Sequence, residues 1–184
     1  MHSIIVGTTG SGKTTLARRF VAANRGEPAI VLDPYQDAGW QRAEIFDDTE
    51  RFLERVRTTT NRLIIVDESG TQIDRYDPEH SWLAVGSRHN GHNVVFLTQR
   101  AMMVSPNIRS NCELGFMFLT TPKDAELLAE DFVQPAAAGY QPLPRYHFVT
   151  LDRFNPPELY RVEIDPLTVK KVRNRHGQEN KSGK

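Results

Sequence analysis

The chain has 184 residues, with 23 Lys+Arg against 23 Asp+Glu, so its formal net charge is zero and 39% of it is apolar. That balance excludes a whole-chain electrostatic attraction to nucleic acid and leaves only a local basic patch for such a role. The length fits one domain able to bury a core, the single Cys112 excludes an internal disulfide and suits a reducing cytosol, and no apolar run approaches the roughly 20 residues of a membrane span.

Ser3-Ile4-Ile5-Val6 is a short apolar run that ends on Gly7, as a buried parallel strand would. Thr14 to Ala23 follows with Leu16, Phe20 and Val21 at helical spacing. Ala29 to Leu32 reads as the next strand, closed by Asp33-Pro34, and Thr49 to Thr58 as a helix with Phe52, Leu53 and Val56 inward. Leu63 to Val66 is the clearest buried strand, with Asp67-Glu68 at its C-terminal end. A helix is expected over Glu79 to His89, a strand over Asn93 to Leu97, a fifth strand over Leu114 to Leu119 and a helix over Lys123 to Phe132. Strands alternating with helices predict an α/β fold with a mostly parallel sheet and helices on both faces. Ligands of such sheets bind beyond the carboxyl ends of the strands, where Gly7, Asp67 and Gln99 all fall.

The last third differs. Pro135 to Pro144 reads as a linker, and Tyr146 to Leu151 with Leu159 to Ile164 as a hairpin at the sheet edge. From Lys170 the chain is basic, with Lys171, Arg173, Arg175, Lys181 and Lys184, and is expected to be a disordered tail. The division expected is a core over 1–134, a β extension over 135–169 and the tail over 170–184.

Gly7-Thr8-Thr9-Gly10-Ser11-Gly12-Lys13-Thr14 matches G-x-x-x-x-G-K-[ST] in full, with Thr15 directly after it. Its glycines let successive backbone N–H groups curl around phosphate oxygens, and the following helix offers them its positive end. Lys13 is placed for the β- and γ-phosphates and Thr14 for Mg²⁺. The strand before and the helix after stand where a P-loop needs them, so ATP with Mg²⁺ is the expected ligand. The loop begins six residues after Met1, which leaves no room for a secretory leader, and the chain is expected to be soluble. Asp67 would complete the metal site as the Walker B carboxylate. Glu68 beside it can polarise a water for attack on the γ-phosphate. Gln99 can reach that phosphate or that water.

Ser87 to Arg100, read as Arg, Gly, apolar strand, Thr98-Gln99-Arg100, resembles a region of the HerA–FtsK superfamily of P-loop ATPases. The resemblance extends through Pro106 to Asn111 and through Leu32-Asp33-Pro34, and spans roughly residues 1 to 135. Ala101 stands where many relatives have proline. The resemblance implies a RecA/ASCE-like ring ATPase that moves double-stranded DNA, with Gln99 as sensor and Arg88, ahead of Arg100, as the arginine finger reaching a neighbour. The compact chain is most similar to the genome-packaging branch of viruses with internal membranes. That likeness implies a hexamer or pentamer in the host cytoplasm or at a virion vertex, docked on a capsid or membrane protein. A phage assembly or secretion ATPase resembling zonular occludens toxin is the alternative motor. A small-molecule kinase and a nucleotide-switched binding protein are the other classes, and Glu68 is awkward for a kinase. Met102 and Met103 are expected to fill core gaps, His89 and His92 are not expected to hold zinc, and Asp33 is open between metal site and turn cap.

Overall fold

A computed structural model describes residues 1–73, 78–164 and 167–172. Strand β1 (Ser3–Val6) leads into α1 (Lys13–Ala23), followed by β2 (Ala29–Leu32), β3 (Ala43–Phe46), α2 (Thr49–Arg57), β4 (Leu63–Val66), the one-turn α3 (Ser69–Gln72) and α4 (Pro78–Val85). A 3₁₀ turn at Gly86–Asn90 precedes β5 (Asn93–Thr98). Then come α5 (Pro106–Asn111), β6 (Leu114–Met117), α6 (Pro122–Asp131) and three strands, β7 (His147–Asp152), β8 (Glu158–Ile164) and β9 (Leu167–Lys171). They form one open sheet in the order β3-β2-β4-β5-β1-β6-β7-β8-β9. The six strands β1 to β6 are parallel to their neighbours among themselves, and β7, β8 and β9 add in antiparallel sense.

Each parallel strand alternates its side chains between two cores, as the pleat requires. Ile4, Val6, Ile30, Leu32, Ile64, Val66, Val94 and Phe96 face α2, α4, α5 and α6. Ile5, Val31, Ile65, Val95 and Leu97 face Leu16, Ala17 and Val21 of α1 on the other side. Helices therefore lie on both faces, but a single long one covers the second. Trp40 and the aromatic ladder Phe116, Phe118, Phe148 and Tyr160 pack on that face with it.

Caps explain the helix starts. Asp48 accepts from Arg51 N ahead of α2, Ser105 from Ile108 N ahead of α5, and Thr121 from Asp124 N ahead of α6. Each satisfies a first-turn N–H that has no partner within the helix. Pro106 and Pro122 begin α5 and α6 directly after those caps, where a missing N–H costs nothing.

Four sequence expectations change. The edge strand β3 is additional, so Leu114–Met117 is the sixth strand and not the fifth. The helix expected over Glu79 to His89 ends at Val85 and tightens into the 3₁₀ turn. The stretch read as a linker holds a 3₁₀ helix at Pro135–Tyr140, and buries Ala137 and Leu143 in the larger core. Lys170 and Lys171 close β9 and are not tail. They stand opposite Arg161 and Tyr160 of β8 and pair diagonally with Glu163 and Glu158, each two residues along that strand. The remainder of the expected tail, from 173 onward, lies outside the described residues.

Candidate nucleotide site

The loop after β1 is pinned to both flanking strands. Gly7 N donates to Thr98 O at 3.2 Å and Thr8 N to Leu119 O at 2.8 Å. A Cβ on Gly7 would lie 2.6 Å from Phe118 Cβ, so no larger residue fits there. Gly10 and Gly12 have φ of 73° and 121°, values that L side chains resist. Gly12 is the N-cap of α1 and supplies no side-chain acceptor, and the first turn holds no acidic residue. The N–H groups opening α1 are thereby left for an anion. The side chain of Ser11 is buried and its Oγ has no hydrogen-bond partner among the described residues. A buried orphan hydroxyl beside unsatisfied amides fits a phosphate better than it fits a finished turn.

Lys13 is only 6% exposed, and its Nζ has a single long hydrogen bond, 3.3 Å to Thr8 O. Burial lowers its pKa, and the charges of Glu68 and Asp67 oppose that shift. Thr14 Oγ1 donates to Asp67 Oδ2 at 3.2 Å. A hydroxyl and one carboxylate at that separation suit Mg²⁺, which takes one or two protein oxygens and completes its shell with phosphate and water. Burial raises the Asp67 pKa to about 6, the charges of Asp33 and Glu68 push the same way, and hydrogen bonds from Glu68 N and Thr14 act against them. A divalent cation there would displace the proton.

The strand order decides what lies between these groups. β4 does not touch β1, because β5 is inserted between them. Gln99, just past β5, therefore stands between the P-loop and Asp67-Glu68. Its Nε2 donates to Glu68 Oε1 at 3.2 Å and Oε2 at 3.3 Å. Glu68 itself has φ 51°, a left-handed conformation uncommon for a non-glycine residue, where the chain leaves β4 and turns into α3. Lys13, Thr14, Asp67, Glu68 and Gln99 thus meet at one end of the sheet.

Asp33 caps a turn. Its oxygens accept from Tyr35 N at 2.9 Å, Asp37 N at 2.9 Å and Trp40 Nε1 at 2.8 Å. Arg100 emerges at the nucleotide end of the sheet, half-buried, in an ion pair with the fully buried Asp124. Burial alone would raise the Asp124 pKa, but hydrogen bonds from Thr121 and Arg100 hold it low. Arg88 lies at the other end, before β5, paired with Glu113 at 2.7 Å and with Asn111 O. It does not join the other candidates in its own chain. Met102 and Met103 are 40% and 38% exposed and do not fill the core; the buried members of that turn are Ala101 and Val104.

Two residues that the sequence reading did not assign to the site line the same cleft. Arg145 and Tyr146 stand beside Gly10, Gly12, Lys13, Thr14 and Thr15. Arg145 Nε donates to Gly10 O at 3.0 Å, and Tyr146 N to Ser11 O at 2.8 Å. In the sequence they follow Pro144 in a stretch of turn residues, and no motif spacing ties them to the P-loop.

Solved structures share this architecture. The genome-packaging NTPase B204 of Sulfolobus turreted icosahedral virus 2, in complex with ATP-γS, superposes with a TM-score of 0.67 at 18% identity over 94% of this chain and 96% of that one. This is the P-loop NTPase fold. The TcpA conjugation coupling protein of pCW3 shares it with a TM-score of 0.66 at 14% identity, over 87% of this chain and 59% of that one. The N-terminal domain of zonular occludens toxin from Neisseria meningitidis gives 0.50 at 13% identity, over 95% and 94%. At 13 to 18% identity, these likenesses are likenesses of fold. No protein-family model matches the sequence, and no curated protein sequence matches it.

Proposed function

We propose that this chain is an ATP hydrolase of the HerA–FtsK type that drives double-stranded DNA through a ring of its own copies, in the packaging of a viral genome. The observation that carries the reading is the meeting of Lys13, Thr14, Asp67, Glu68 and Gln99 around β1, β5 and β4. Lys13 and the amides opening α1 bind and orient the β- and γ-phosphates. Mg²⁺, held by Thr14 and Asp67, would neutralise charge on the same oxygens. Glu68 takes a proton from the attacking water, and Gln99 holds Glu68 until a γ-phosphate competes for its amide.

A ring would place a finger from the next chain against this site, through a heterologous interface that closes at five or six copies. We favour Arg100 over Arg88, since Arg100 emerges at the nucleotide end. Arg88 stands at the opposite end of the sheet; either arginine would first have to leave its ion pair, Arg100 that with Asp124 and Arg88 that with Glu113. DNA is held weakly by each copy and firmly by the ring. Docking to a capsid or membrane vertex protein, in the host cytoplasm or on the virion, belongs to the same reading. A phage assembly or secretion ATPase is the second reading. It is supported by the likeness to the zonular occludens toxin domain, over nearly the full length of both chains.

The test is ATP turnover of the purified chain with and without duplex DNA, alongside its mass. Packaging predicts stimulation by DNA of any sequence, assembly into a closed ring with nucleotide and DNA, and DNA affinity that falls steeply from about 50 to 200 mM salt. A monomer at micromolar concentration whose turnover ignores DNA would end this reading.

A further inference from the structure

The catalytic groups mark only one end of the cleft. Asp67, Glu68 and Gln99 come from β4 and β5, which lie to one side of β1 in the sheet. The γ-phosphate must therefore point to that side. β6 and β7 lie to the other side, and β7 runs antiparallel, so its start rises beside the P-loop. Arg145 and Tyr146 stand at that start and line the cleft with Gly10, Gly12, Lys13, Thr14 and Thr15, a lining that includes neither Asp67, Glu68 nor Gln99. With the γ-phosphate directed toward β5 and β4, this side of the loop is left for the nucleoside.

Their local geometry is fixed. Tyr146 has φ 63°, an uncommon left-handed conformation for an aromatic residue. Its N donates to Ser11 O, and its O accepts from Val162 N of β8 at 2.9 Å, so the backbone is held from both sides. A Cβ on Gly12 would lie 2.8 Å from Tyr146 Cδ1, so this ring also packs on the loop. The Arg145 guanidinium lies over the Tyr146 ring, 4.8 Å from its centroid. Its Nε is used by Gly10 O, while its Nη groups make no hydrogen bond among the described residues. The side chain is exposed. A planar cation is thus backed by an aromatic ring, exposed, and on the lining of the cleft.

Resting on the nucleotide-binding reading of the P-loop, we propose that Arg145, backed by Tyr146, is the platform on which the nucleobase stacks. A stacked guanidinium recognises the π-face that every base has, and makes no demand on its edge. The site is then specific for a nucleoside triphosphate and tolerant of the base. Lysine cannot substitute, because its ammonium is a point charge without a plane.

The experiment is calorimetric titration of the full chain with ATP, GTP and inorganic tripolyphosphate, using Arg145→Ala, Arg145→Lys and Lys13→Ala variants. Arg145→Ala is expected to weaken ATP and GTP equally, by about tenfold, and to leave tripolyphosphate binding unchanged. That unchanged binding also shows that the variant is folded. Arg145→Lys is expected to behave as Arg145→Ala does. If Arg145→Lys restores ATP affinity, or if tripolyphosphate binding falls in parallel, Arg145 is a phosphate contact and the stacking proposal is overturned. Unchanged ATP affinity in Arg145→Ala overturns it as well. Unchanged ATP affinity in Lys13→Ala would instead overturn the P-loop reading, and the stacking proposal with it.

Discussion

The two ends of the parallel sheet bury polar residues to a similar degree and treat them in opposite ways. At the N-terminal end, His2 Nδ1 accepts from Val94 N at 3.2 Å, and its Nε2 meets Ser87 Oγ, which in turn donates to Leu83 O. His92 accepts from Arg62 N and meets Val56 O. Arg62 is bonded to Pro28 O and Glu44. None of these side chains has a buried polar atom without a partner among the described residues. At the C-terminal end, and again among the described residues, Ser11 Oγ has no partner, Lys13 has one long bond, and Asp67 sits beside two other carboxylates. Both ends cost desolvation, but only the first recovers it within the fold. The second is left to recover it from a ligand, and this difference separates a structural polar cluster from a functional one.

The largest expected effect is at the unfinished end. Lys13→Ala should remove ATP turnover to below detection while the thermal midpoint stays near wild type. A variant that still turns over ATP would show that the cluster is finished without ligand. Glu68→Gln should follow, with turnover down about 10²-fold and ATP binding kept. Rapid-quench measurement of bound nucleotide separates the two steps, and near-normal hydrolysis would move the general base elsewhere.

The finished end should give the converse. Arg62→Ala leaves Pro28 O without its side-chain donor and Glu44 with Arg55 alone, and is expected to cost about 2 kcal/mol of stability, with ATP affinity unchanged. Urea unfolding and calorimetry on one preparation would check both, and a drop in ATP affinity would mean that the two ends are coupled.

The smallest effects are those of pH, and their signs differ. Burial, with the Arg88 charge next, lowers the His2 pKa from 6.5 to about 4. Its stabilising contribution is therefore complete above 6.5 and is lost as pH falls toward 4. Asp67 is raised from 3.8 to about 6, so its contribution in the ligand-free protein is present below 3.8 and is lost as pH rises through 6. Mg²⁺ must expel that proton, and so Mg²⁺-dependent ATP affinity should strengthen from pH 5 to 7 and then level off. A flat profile, or one that Asp67→Asn leaves unchanged, would contradict this assignment of the metal carboxylate.

Five of the six parallel strands were legible because each is a mainly apolar run of four to six residues closed by a turn or a polar residue, as in Leu63 to Val66 before Asp67. The P-loop was legible because its chemistry is local in sequence. β3 was not, since Glu44 interrupts the apolar run of Ala43-Glu44-Ile45-Phe46, and the strand is held by pairing with β2. β9 carries two lysines, and composition there suggested tail where register with β8 makes strand. Arg145 and Tyr146 reach the site only through the antiparallel return of β7, a long-range placement that no local pattern encodes. The same limit applies to Arg88: its position before β5 was readable, but the end of the sheet at which it stands followed only from the strand direction.

Cys112 ends α5 with its Sγ donating to Ile108 O at 3.3 Å, fully buried, its pKa pushed up to about 12 by that burial. A thiol so protected cannot react with an alkylating reagent until the core around it opens. As the only sulfhydryl in the chain, it is a ready-made clock: its alkylation rate counts how often the molecule opens, without any engineered label. Run with and without nucleotide, the same count would report whether filling the cleft at one end of β1 quiets the other.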